Sequence, residues 1–294
     1  MRYDQQIESP LGGTAHLLET RSAAHISALY AQAFSYTPDF GGLDEIAVYE
    51  CDATGYRFFY PYALEGKADL YRELEKYDWC YEENKWEHNI VASRISRNAS
   101  VLDVGCGRGA FLSKVSSPNR TGIELNKSAA DVARKRGIAI VEELIGDHSG
   151  VYDVVTAFQV LEHIADPLTF LSDCLAAVKP GGMLIIAVPN NDSFIRFADL
   201  PLNQPPHHVG MWTPKSLASL EKVLPVAVQM IEEEPIRELG WYQQVMEQRY
   251  LPKRWQRSLY YRLHGNRIVE RFIAENASSI SGHTVLATFR KLGV

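Results

Sequence analysis

Val101-Leu102-Asp103-Val104-Gly105-Cys106-Gly107-Arg108-Gly109-Ala110 is the stretch from which the architecture of this chain can be read. A β-branched run ends in a group of glycines, the residue that permits a tight turn and lets another group come close to the main chain. The pattern predicts a strand at 100–105, the turn, and a helix at 109–117. Further short apolar runs follow at 121–125, 139–142, 152–158 and 183–188, with helical stretches at 128–136 and 167–179 between them. That alternation describes a doubly wound α/β sheet with helices on both faces.

Lys179-Pro180-Gly181-Gly182 is read as a turn. Beyond the fifth run, a loop stiffened by Pro201, Pro205 and Pro206 leads to Thr213-Pro214, a helix start that should run to about residue 223. Residues 227–231 and 283–289 read as a last pair of strands, the final one antiparallel, with a mostly helical insertion at 237–280 between them. Upstream, a hairpin at 46–51 and 56–60 is surrounded by helical segments at 22–34, 67–79 and 84–95. Two regions are therefore expected: an N-terminal helical and hairpin extension at 1–98, and a ligand-binding domain at 99–294 that carries the insertion.

With 30 basic and 36 acidic side chains the formal net charge is −6, so no global positive field is available to hold nucleic acid. At 46% apolar and 22% charged residues the chain has the make-up of a globular protein, which excludes disorder and fibrous repeats. Cys51, Cys80, Cys106 and Cys174 are too scattered for a zinc site or a disulfide framework and are read as free thiols. No apolar run approaches a membrane span and no leader is recognised, so a cytoplasmic protein is expected.

Gly105, Gly107 and Ala110 satisfy the spacing of a dinucleotide-binding turn, and Glu124 follows where an acid would hold ribose hydroxyls. Asp103 separates the possible ligands, because it ends the strand beside the turn and its carboxylate would oppose a pyrophosphate. S-adenosyl-L-methionine instead brings a sulfonium and an ammonium, which a carboxylate favours.

Several separated segments carry a resemblance to the class I S-adenosylmethionine-dependent methyltransferases. VLDVGCGRG (101–109) resembles the family's first motif, and TGIELN (121–126) its acidic second-strand end. YDVVTAFQVLEHIADP (152–167) resembles the fourth strand and its exit, and LAAVKPGGMLIIAVPN (175–190) the helix, turn and fifth strand. FQVLEH, PPHH and the region from RFFYPY to DWCYEENKWEH look like a bacterial subgroup associated with small-molecule and sugar modification. The resemblance implies a Rossmann-like fold with S-adenosyl-L-methionine as cofactor. It puts Asp103, Gly105, Cys106 and Gly107 around the methionine part, Glu124 on the ribose hydroxyls, Leu125 against adenine, and Phe158 and Gln159 beside the sulfonium. The family's adenine-contacting acid after the third strand has no clear counterpart in Glu142-Glu143-Leu144.

The expected reaction is displacement at a methyl carbon, which orientation alone can accelerate and which needs no metal. A base is required only if the nucleophile carries a proton, and His207 and His208, beyond the fifth strand, are candidates. Their other reading is a polar pair in a surface loop. Glu162 and His163 can face substrate, hold a metal or simply orient their loop. A nicotinamide-dependent oxidoreductase and a non-catalytic S-adenosylmethionine-binding protein are the alternatives. Within 237–275, eight cationic residues face four acids and are interleaved with aromatics such as Trp241, Tyr250 and Trp255. The insertion is read either as a lid selecting an anionic small molecule, such as a nucleotide-linked sugar, or as an amphipathic helix pair with solvated arginines. A helix on a membrane surface is a further reading. Oligomeric state is left open.

Overall fold

In the structure of the protein, a computed structural model, residues 3–77, 83–264, 271 and 275–293 are described. The N-terminal elements are β1 (Gln6–Glu8), β2 (Thr14–Ser22), α1 (Ala23–Phe34), β3 (Glu45–Cys51), β4 (Arg57–Tyr60) and α2 (Ala68–Leu74). Then come α3 (Trp86–Arg94), β5 (Val101–Val104), β6 (Arg120–Ile123), α4 (Lys127–Lys135), β7 (Ala139–Val141), β8 (Tyr152–Phe158), α5 (Pro167–Ala176) and β9 (Val178–Pro189). The chain ends with β10 (Gly210–Met211), α6 (Pro214–Ala218), β11 (Val226–Pro235), α7 (Leu239–Tyr250), α8 (Arg254–His264) and β12 (Ser281–Lys291).

Seven strands form the central sheet in the order β11-β12-β9-β8-β5-β6-β7. It is parallel from β9 through β7, while β12 runs antiparallel to both β9 and β11. This is the expected Rossmann-like α/β sheet with an antiparallel last strand. The chain leaves β5 toward β6 and β7, then returns to place β8 on the other side of β5. A doubly wound sheet binds its ligand at such a reversal, outside the carboxyl ends of the strands. Here those ends are Asp103-Val104 and Phe158, with Asp103 in register with Thr156. Both faces are covered by apolar side chains: Leu102, Val155 and Ile186 on one, Val101, Val154 and Ile185 on the other.

Four details depart from the sequence reading. Residues 109–117 make consecutive turns, with Ser113 N donating to Gly109 O but Lys114 N to Phe111 O. Gly109, at φ +76°, and Pro118 bound this stretch, and its i→i−3 bonds at Lys114 and Val115 replace the α-helical ladder. Lys179–Gly182, expected as a turn, lies inside β9 as an extruded bulge, since Tyr152 pairs with Val178 and Val154 with Met183. Thr213 caps α6 with a reciprocal Ser216 bond as anticipated, but the helix tightens into a 3₁₀ turn at Ser219–Lys222. Finally, the N-terminal part is built on a sheet of order β1-β2-β3-β4-β10, in which the predicted hairpin is only the β3–β4 pair. A bulge between Leu17 and Glu19 breaks the alternation of β2 and hides it from a period-two reading. Its last strand, β10, comes from the loop after β9, so the N-terminal sheet holds the segment that carries His207 and His208.

Candidate functional site

One cavity of about 1690 Å³ opens at the carboxyl ends of β5, β6 and β8. It is lined by Asp103, Gly105, Cys106, Gly107, Glu124, Leu125, Phe158 and Gln159, and also by His163, His207 and His208. The structure thus brings every sequence-selected site residue to one cavity. Eight carboxyl side chains but four cationic ones line the cavity, a balance that favours a positively charged ligand over an anion.

At one end the site is built from backbone. Gly105, Gly107 and Gly109 all have positive φ, at 72°, 54° and 76°. A Cβ on Gly105 would lie 2.6 Å from Val160 Cγ2, so both conformation and space demand glycine there. Glu124, one residue past β6, is gripped by the turn it faces: Gly107 N donates to Oε2 at 2.8 Å, and Asn126 N to Oε1 at 2.7 Å. Each oxygen keeps a further lone pair for a hydroxyl donor. Asp103 is buried and accepts from Thr156 Oγ1 at 2.7 Å. Burial pushes its carboxyl up to about 7, opposed by the Thr156 bond and reinforced by the Glu124 charge. A cation placed beside it would favour the ionised form.

Cys106 is a packing residue. Its sulfur fills the space above Gly122, where a Cβ would lie 2.4 Å from Sγ, and burial raises its thiol far above the reactive range. Leu125 is exposed on the cavity wall, as a residue stacked on a ligand would be. Phe158 is buried edge-on to Phe111, with ring centroids 4.9 Å apart. Gln159, immediately after β8, holds φ +56°, an uncommon conformation for a non-glycine residue. Its side chain donates to Glu87 Oε1 at 3.3 Å.

The other end of the cavity is built from two loops. Glu162 and His163 lie on a 3₁₀ turn, Leu161–His163, which is pinned by the fully buried Leu161. His207 and His208 come from the proline loop. Val209 N donates to Glu162 O at 2.9 Å and joins the two loops, while Tyr30 of α1 donates to Gln204 O and accepts from His207 N. The three imidazoles pack ring against ring, with centroids 4.5 to 4.9 Å apart. Burial holds all three below the ordinary histidine range, His163 at about 4, so they are neutral near pH 7. Glu162 is buried with neither oxygen hydrogen-bonded, and burial pushes its carboxyl up to about 8.

Sequence reasoning did not single out Glu87 and His88 of α3, which are buried and line the same cavity. The available signal was a charged residue on the stripe of Val91 and Ile95, both of which are buried. Of the insertion, Trp241 and the preceding Arg237 reach the cavity wall, but Arg254 and Arg257 of α8 are not part of it. Trp79, Tyr81, Cys80, Arg267 and Glu270, which entered the sequence reading, lie outside the described residues.

Residues 79–222 match a family model described as a methyltransferase domain. The chain is 34% identical over 104 residues to a ubiquinone biosynthesis O-methyltransferase of Vibrio parahaemolyticus, covering 31% of this chain and 44% of that protein. It is 33% identical over 136 residues to a probable S-adenosylmethionine-dependent methyltransferase of Mycolicibacterium smegmatis, covering 42% of this chain and 52% of that one. The chain spans about half the length of the curated relatives it matches. Among solved structures, an N-methyltransferase from Bradyrhizobium japonicum in complex with S-adenosyl-L-homocysteine superposes with a TM-score of 0.47. It is 18% identical, with 75% of this chain and 97% of that chain covered.

Proposed function

We propose that this chain, whose residues 79–222 match the methyltransferase domain model, is an S-adenosylmethionine-dependent methyltransferase that acts on a small molecule. The observation that carries this reading is the placement of Asp103, the glycine turn and Glu124 on one wall of the cavity that also holds the imidazole group. The residues present suit S-adenosyl-L-methionine. Gly105 lets the turn close against Val160 at positive φ, and the carboxylates match a cation better than the pyrophosphate of a nicotinamide cofactor.

Bound there, S-adenosyl-L-methionine supplies an electrophilic methyl group. Glu124, already oriented by two backbone donors, would take the ribose hydroxyls, and Asp103 the ammonium end. Leu125 would cover adenine, with Phe158 and Gln159 beside the sulfonium. The acceptor would lie between Phe158 and the histidines, where burial limits water. His163, His207 and His208 are neutral there and present lone pairs, so they can take a proton from a nucleophile or hold it in line.

An anionic acceptor, such as a nucleotide-linked sugar, is the finer part of this reading. Arg237 supports it, as a cation on the cavity wall. The same reading keeps the protein in the cytoplasm and away from nucleic acid, in line with a net charge of −6. No helix among the described residues is long and apolar enough to cross a membrane.

Calorimetry tests the cofactor. S-adenosyl-L-methionine and its demethylated product are expected to bind, and NADH is not. Binding of NADH alone would return the protein to the oxidoreductase reading. Cofactor binding without methyl transfer to any acceptor in a metabolite screen would favour a non-catalytic binding protein.

A further inference from the structure

At the histidine end the polar atoms do not balance. His163 Nδ1 donates to His207 O at 2.7 Å, His207 Nδ1 to Leu202 O at 3.3 Å, and His208 Nδ1 to Asn203 Oδ1 at 3.3 Å. Each ring therefore carries its proton on Nδ1 and leaves Nε2 as a bare lone pair. Among the described residues none of these Nε2 atoms has a hydrogen-bond donor. His163 Nε2 and His208 Nε2 instead both face Glu162 Oε1, each at 4.0 Å. Glu162 is 1% exposed, and both its carboxyl oxygens lack a hydrogen-bond partner among the described residues. Among the described residues no side chain donates to these lone pairs or to the Glu162 carboxyl, an acceptor-only arrangement that a cation would complete.

We propose that His163, His207 and His208, with the Glu162 carboxyl beside them, bind a divalent transition-metal cation, with zinc the best match, at the acceptor end of the cavity. One ligand atom from each of the three histidines lies within 4.8 Å of the others. Metal–ligand bonds of about 2.0–2.2 Å separate ligand atoms by roughly 3.4 Å in a tetrahedron, so bringing the three histidine atoms onto one ion needs movements of under about 1 Å each. The donor set chooses the metal: three imidazoles and one carboxylate suit zinc and its first-row neighbours, whereas magnesium and calcium prefer oxygen. The outer shell is already in place, since each ring has its Nδ1–H held by an oxygen, the feature that orients metal-binding histidines.

The site changes what the histidines do. As ligands they no longer accept a proton from the nucleophile. An ion with an open position instead holds an acceptor oxygen and makes its hydroxyl more acidic. Only this role rests on the methyl-transfer reading; the binding of metal does not.

The test uses the full chain without a histidine tag, stripped with a chelator and dialysed. Calorimetric titration with zinc chloride should show one ion per chain, and Co²⁺ should give the intense visible absorption of a low-coordinate nitrogen site. Glu162→Gln and His208→Gln should each weaken zinc binding by 100-fold or more, while His16→Gln, at an exposed position remote from the cavity, leaves it unchanged. Absence of stoichiometric zinc in the parent, a Co²⁺ spectrum like that of the aqueous ion, or equal affinity in the folded Glu162 and His208 variants would overturn the proposal. S-adenosyl-L-homocysteine is titrated into the same stripped protein. If it binds where zinc does not, the metal site fails and the methyl-transfer reading stands. If zinc binds where it does not, the metal site stands and the cofactor reading fails.

Discussion

The two ends of the cavity are made in opposite ways. At the end near β5 the carboxylates are already held: Asp103 by Thr156, Glu124 by the backbone of Gly107 and Asn126. At the other end neither carboxyl oxygen of Glu162 has a hydrogen-bond partner among the described residues, and three imidazoles turn their protons away from it. A prebuilt set of acceptors fits a ligand that brings donors and one positive charge. A set of bare acceptors fits a concentrated charge, which is why the two ends take different kinds of ligand.

The largest effects are expected where the backbone itself forms the site. Gly105→Ala combines a left-handed φ with a Cβ only 2.6 Å from Val160, whereas Gly137, at φ +76°, has nothing within 4 Å. Gly105→Ala should lose about 2–4 kcal/mol of stability in urea unfolding, from backbone strain plus overpacking, and Gly137→Ala about 1–2 kcal/mol from strain alone. Cofactor binding should disappear in the first and persist in the second. Equal losses in both would mean that the turn is only a turn and that its closeness to Val160 has no bearing on the ligand.

Glu124→Ala comes next, because it removes the proposed hydroxyl acceptor and also releases the amides of Gly107 and Asn126. Affinity for S-adenosyl-L-homocysteine should fall by roughly 1–3 kcal/mol, the range for hydrogen bonds to a charged group. A change of less than about twofold by calorimetry would place the ribose elsewhere.

This contrast also explains what was legible in the sequence. The β5 end is written locally, because glycine, aspartate and glutamate occupy fixed offsets along one strand–turn–strand path, and local geometry is what single-sequence patterns encode. The parallel sheet was legible for the same reason. The histidine end depends on a 3₁₀ turn meeting a proline loop 44 residues away, a contact recorded in the His163–His207 bond but not in any spacing. His163, His207 and His208 could be picked out by residue type, but their convergence on Glu162 could not. Nor could the N-terminal sheet be read. Its order depends on β10 joining β4, a pairing across about 150 residues that no local propensity specifies.

A pH profile sharpens the comparison from the cofactor end. Burial, opposed by the Thr156 bond and reinforced by Glu124, raises Asp103 to about 7. A cationic ligand prefers the ionised carboxylate, so binding below that pH must first release a proton. Affinity should be level above pH 7 and fall by up to about tenfold per pH unit below it, until the carboxyl of the complex titrates. Asp103→Asn should bind more weakly at pH 8 and lose this slope. A slope unchanged in Asp103→Asn would assign the proton to another group.

The smallest effects are expected in the insertion, where the two ends give way to solvent. Arg237 lines the cavity, but its side chain is 51% exposed and lies 3.6 Å from Glu234 Oε1, so its charge is partly screened and partly spent. For an anionic acceptor, Arg237→Ala should raise KM a few-fold, the scale of an exposed ion pair, and leave the cofactor untouched. Arg254 and Arg257 lie off the cavity wall, and the neighbouring Trp255 is 62% exposed, which favours the amphipathic pair over a closed lid. Arg254→Ala and Arg257→Ala should therefore stay within about twofold of the parent in KM. The reverse ranking, with loss at Arg254 and Arg257 and none at Arg237, would restore the lid reading, because it requires α8 to close over the acceptor during turnover. Parity among all three variants would remove the anionic acceptor and leave the histidine end, with its proposed cation, as the feature that selects the substrate.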